Sequence, residues 1–76
     1  MNNNLKITKE LKQLKLRFLD KSNKIEINKN NKKYNNLIID FEINNNKIEV
    51  VLLNEKNELF NLDWNIIKKE KDYKII

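Results

Sequence analysis

LIIDFEINNNKIEVVLLNEKNELFNLDW, residues 37–64, decides the fold. Apolar residues recur at every second position: Leu37, Ile39, Phe41 and Ile43, then Ile48, Val50 and Leu52, then Phe60, Leu62, Trp64 and Ile66. A period of two is that of a half-buried strand. A two-residue turn at Asn45-Asn46 sets Ile43 against Ile48, Phe41 against Val50 and Ile39 against Leu52, so every inward residue meets another. A three-residue loop at 55–57, with Asn57 left-handed, sets Leu52 against Phe60, Val50 against Leu62 and Ile48 against Trp64. A two-residue loop would set Leu52 against Asn61 and is rejected.

Upstream, Ile25 and Ile27 alternate in the same way. Before them, Ile7, Leu11, Leu14 and Phe18 stand at i, i+4, i+7 and i+11, one stripe of a helix. Leu5 and Leu16 fall opposite that stripe, and Asn4 or Thr8 is placed to cap it. Leu14, Leu16 and Phe18 also alternate. One helix running to about residue 20 is therefore favoured over a shorter helix that gives way to a strand near 14. Downstream, the charged run Lys68–Asp72 reads as a turn before a short edge strand ending Tyr73-Lys74-Ile75-Ile76.

The expectation is one α+β domain over residues 1–76. Residues 1–21 form a mainly basic amphipathic helix, 24–67 an antiparallel meander, and 68–76 a charged tail or edge strand. The sheet has four to six strands, open or curled towards a small barrel. This layout resembles small barrels of the Sm, SH3-like and OB types in architecture alone. Some of those bind RNA, but architecture does not imply function.

Ile, Leu, Val and Phe make up 26 of the 76 residues, well above the roughly 20% below which a charged chain stays disordered. The core is nevertheless small, and a second copy of the chain could add to it. There are 16 Asn, 15 Lys and 11 Ile, and no Gly or Pro. All three abundant residues have A/T-rich codons, so the lysine content is partly a matter of coding bias. Such bias fits a small phage or mobile-element protein. Without glycine, Asn is the residue best suited to left-handed turns, and the Asn patches at 2–4, 30–36 and 44–46 read as punctuation. No signal peptide or apolar run of membrane-spanning length occurs, so a soluble, cytoplasmic protein is expected.

The registers also dictate the opposite face. Glu42 lies across from Glu49, Glu49 across from Asp63, and Asp40 is one step along. Ile38, Leu53 and Leu59 form an apolar spot at the other end of that face. The plain reading is a solvated face neutralised by the chain's own lysines. The sharper one is a contact surface for a basic protein, with the carboxylates as complementary charge and the apolar spot as anchor. No metal or cofactor is expected there, because oxygen-only metal sites recruit loop carbonyls and tighter clusters.

Charge is unevenly spread: residues 1–33 carry +7 and residues 34–67 carry −4. Lys9, Lys12, Lys15, Arg17, Lys21, Lys24, Lys29, Lys32 and Lys33 are the candidate phosphate contacts of an alternative, nucleic-acid-binding reading. A single Arg and few exposed aromatics count against it. With no His or Cys, histidine- or thiol-based nucleophilic catalysis is absent, and with no Gly so are the usual phosphate loops. A non-catalytic protein-binding module is expected, in its sharpest form an inhibitor of a basic nucleic-acid-handling enzyme.

Overall fold

In the computed structural model, which describes residues 3–76, the chain opens with helix α1, Asn3–Phe18. The apolar stripe turns inward: Ile7 and Leu11 are half-buried, and Leu14 and Phe18 are buried. Leu5 and Leu16, on the other side, are exposed. The longer helix is therefore the one adopted. Thr8 lies within it and is not its cap, while the Asn4 side chain falls outside the described residues.

Five strands follow: β1 (Lys24–Lys29), β2 (Lys32–Asn44), β3 (Lys47–Leu53), β4 (Leu59–Asp63) and, after helix α2 (Trp64–Lys69), β5 (Tyr73–Ile75). All neighbouring pairs are antiparallel, in the spatial order β4-β3-β2-β1-β5. The loops between β1 and β2, β2 and β3, and β3 and β4 rest on asparagine in the absence of glycine. Asn30-Asn31 and Asn45-Asn46 each take two successive positive φ values (53° and 64°; 52° and 61°), and Asn57 takes 64°. Paired positive φ in a two-residue loop matches the twist of the strands that flank it. Asn35 and Asn36 are not punctuation; both lie in β2.

The β2–β3 register is the expected one from Asp40 to Lys47, and β3–β4 follows from Glu49↔Asp63 to Leu53↔Leu59. Three expectations are corrected. First, a β-bulge between Ile38 and Asp40 breaks the alternation of β2. Ile38, expected on the outer face, pairs with Leu52 and is buried, whereas Ile39 is exposed and Leu37 moves outward against Leu53. A bulge inserts one residue and so flips every side chain beyond it. Asp40 supports it locally, its carboxylate accepting the Phe41 N–H at 2.8 Å.

Second, the fourth strand stops at Asp63. That carboxylate accepts the Asn65 N–H at 2.8 Å and caps α2, so Trp64 and Ile67 are buried at helical spacing and Ile66 is exposed. Third, Lys68 and Lys69 of the charged run end α2, so only the rest of that run is a turn. The C-terminal segment is the expected edge strand. It crosses to the edge opposite β4 and pairs with β1, as in Ile25↔Ile75 and Ile27↔Tyr73. Paired main-chain bonds between Lys24 and Ile76 extend that ladder.

Helix α2 packs against β3, β4 and β5 and thus reaches from one edge strand to the other. The two edges do not pair, and the sheet is not closed into a barrel. Both helices cover one end of the inner face. There Phe18, Phe41 and Trp64 meet at centroid distances of 5.4–6.0 Å, and Ile25, Val50 and Leu52 are fully buried around them. Tilted and edge-on contacts of this kind suit the ring quadrupoles. Among the described residues, no helix is long and apolar enough to cross a membrane.

Candidate functional site

On the outer face, Glu42 and Glu49 stand directly across β2 and β3. Two like charges at that spacing repel, and two amides resolve the conflict. The Asn44 Nδ2 donates to Glu42 Oε1 (3.1 Å) and Glu49 Oε1 (2.8 Å), and the Asn61 Nδ2 does the same (2.7 and 3.0 Å). Four side chains from three strands thus form a lattice of alternating donors and acceptors. The amides of Asn61 and then Asn44 hold the Glu49 carboxyl below its ordinary value, against desolvation and the nearby Asp63 charge. Among the described residues neither Oε2 has a protein donor, so each carboxylate keeps an acceptor for something outside the chain.

The other two expected acids are committed within the protein. Asp40 supports the bulge and lies 3.7 Å from the Lys15 ammonium. Asp63 caps α2 and lies 3.9 Å from that of Lys47. The acidic row therefore contracts to the Glu42–Glu49 pair. Among the described residues, no three carboxylates group closely enough to hold a metal ion.

The apolar spot survives with one member exchanged. Leu37↔Leu53↔Leu59 form an unbroken row across β2, β3 and β4, with Leu59 64% exposed. Leu37 replaces Ile38, which is 6% exposed and cannot anchor a partner.

The basic residues are not gathered into one patch. Lys9, Lys12 and Arg17 are exposed on α1, with the Arg17 guanidinium 5.1 Å from the Phe18 ring centroid. Lys21 is in the following loop and Lys24 opens β1. Lys29, Lys32 and Lys33 are at the far tip of the β1–β2 hairpin, the length of β1 away, which is about 17 Å at strand rise.

One feature escaped the sequence reading. The inner face left uncovered by the helices is an open groove of about 960 Å³ between the β4 and β5 edges. Ile27, Tyr34, Phe60, Leu62 and Tyr73 line it, with Asn36 among them and Glu55, Glu58, Asp72, Lys29 and Lys56 about it. Glu55 is held by the Asn35 N–H (3.1 Å) and Glu58 by the Asn54 Nδ2 (2.9 Å). Carrying the Asn30-Asn31 turn through as a hairpin register would have placed one wall of it, since it sets Ile27 against Tyr34 and Ile25 against Asn36.

Comparison of the chain with protein-family models, with curated proteins and with solved structures finds no match.

Proposed function

We propose that the chain is a non-catalytic protein-binding module whose outer sheet face receives a partner with a basic surface. In its sharpest form it is a small inhibitor, of the kind a phage or mobile element makes, that occupies the basic groove of a nucleic-acid-handling enzyme. The observation that carries this reading is the amide-locked Glu42–Glu49 pair. Two carboxylates fixed side by side, each with a free oxygen, suit the ammonium and guanidinium groups of such a groove. The adjacent Leu37–Leu53–Leu59 row supplies an apolar contact that fixes position. The nucleic-acid alternative has less support. Its cations are split between two ends of β1, and Lys15 is beside Asp40.

The test uses the immobilised chain and its E42K/E49K double variant as parallel baits, with circular dichroism to show that both are folded. A basic nucleic-acid-handling protein retained by the wild type and lost from the variant is the expected outcome. Equal retention by both would remove the acidic face from consideration. Anisotropy of labelled RNA and duplex DNA completes the experiment. Binding that falls tenfold or more between about 50 and about 200 mM salt would favour the phosphate-binding alternative.

A further inference from the structure

The inner groove points to a ligand by itself and does not depend on the outer face. Asn36 is 3% exposed, yet only half of its amide is used. Its Nδ2 donates to the main-chain carbonyls of Ile25 (3.2 Å) and Tyr34 (3.3 Å). Its Oδ1 has no donor among the described residues, and it is not sealed from solvent. The groove that Asn36 lines thus offers a deep acceptor waiting for an N–H or O–H. A nucleobase amide would call on both ends of the Asn36 side chain, and one end is already spent.

The walls and rim narrow the chemistry. Tyr34 is 44% exposed, and Phe60 and Tyr73 are half-buried, so three rings border the space. Three carboxylates, Glu55, Glu58 and Asp72, stand at its rim against two ammonium groups, Lys29 and Lys56, and neither lysine is within ion-pairing distance of Glu58 or Asp72. Ring faces, carboxylates without an ion-pair partner and a lone carbonyl acceptor all favour a cation that carries N–H donors. They disfavour a phosphate.

The setting of the groove favours an extended chain. Its volume of about 960 Å³ is one that small ligands also fill, but it lies along β4 and β5, edge strands whose outer main-chain groups have no sheet partner. A segment laid along either edge would meet free donors and acceptors there.

We propose that this groove binds an extended, arginine- or lysine-bearing segment of a partner protein, with one cationic side chain seated against Asn36 Oδ1 between Tyr34, Phe60 and Tyr73. The probe is a short fluorescein-labelled peptide with arginine at alternate positions, read by anisotropy against the same peptide with glutamine. Saturable binding of the arginine peptide, weakened roughly tenfold or more by the E58Q/D72N double variant and by Tyr34→Ala, is expected. All three positions are on the surface, so these variants should retain the wild-type circular dichroism. E42K/E49K should keep the part of the binding that E58Q/D72N and Tyr34→Ala remove, which separates this groove from the outer face.

Four results would overturn the proposal. They are no binding, equal affinity for the glutamine peptide, loss of binding in E42K/E49K but not in the groove variants, and displacement by free arginine at the peptide's own affinity. The last would make the occupant a small molecule.

Discussion

Glu42 and Glu49 show how a side chain acquires a role from its neighbours. Without the two amides they would be a repulsive cross-strand pair; with them they are two carboxyl groups bridged by shared donors. Glu49 binds its proton more weakly in the folded chain than in the unfolded one, since its carboxyl is held below the ordinary value. Its contribution to stability is therefore fully present above the unfolded value and fades as pH falls through the folded value. Replacing Asn61 with Ala removes the largest cause of that lowering, so the Glu49 titration should move upward. NMR titration of the side-chain carboxyl reads this directly. An unmoved midpoint would mean that the lattice does not hold Glu49 in solution.

At the scale of elements, the fold depends on asparagines doing the work of glycine. Asn45 and Asn46 both have positive φ, and the β2–β3 register is set by that turn. A β-branched residue there costs about 1–2 kcal/mol of left-handed strain. Asn46→Val should lower the urea midpoint by about that much, whereas Asn46→Gly should leave it unchanged or raise it, each with an unchanged slope. Equal stability of the two variants would place the turn elsewhere. The bulge and the α2 cap obey the same local logic. In each, an aspartate accepts a main-chain N–H two residues or fewer downstream, and an alternating strand is interrupted there.

For the molecule as a whole, one small core carries the stability. Phe41 is fully buried and touches both Phe18 and Trp64. Phe41→Ala should cost about 3–5 kcal/mol, comparable to all that a single core of this size supplies, about 3–5 kcal/mol. The variant should be largely unfolded at 25 °C by near-ultraviolet circular dichroism. Leu59→Ser, at an exposed position of the outer row, should change stability by no more than about 0.5 kcal/mol. A cooperative, wild-type-like melt for Phe41→Ala would show that the core is not organised around that ring. The two proposed surfaces lie on opposite faces of one sheet, so the variants that test one leave the other intact.

The sequence by itself determined the helix, the α+β class, two hairpins with their registers as far as the bulge and the α2 cap, and the pairing of Glu42 with Glu49. Each follows from local periodicity and from which residues tolerate a left-handed backbone. Tertiary structure decided what periodicity cannot carry. A one-residue bulge exchanged Ile38 for Leu37, because alternation has no marker for an inserted residue. A carboxylate at the end of β4 took an N–H and turned an alternating stretch into α2. The lysines read as one run in the chain, but β1 holds them apart. The groove arises only where β4 and β5, far apart in the sheet order, curve towards each other without pairing. That closeness depends on sheet curvature and on α2 spanning the two edges, and neither is written in the spacing of any single segment.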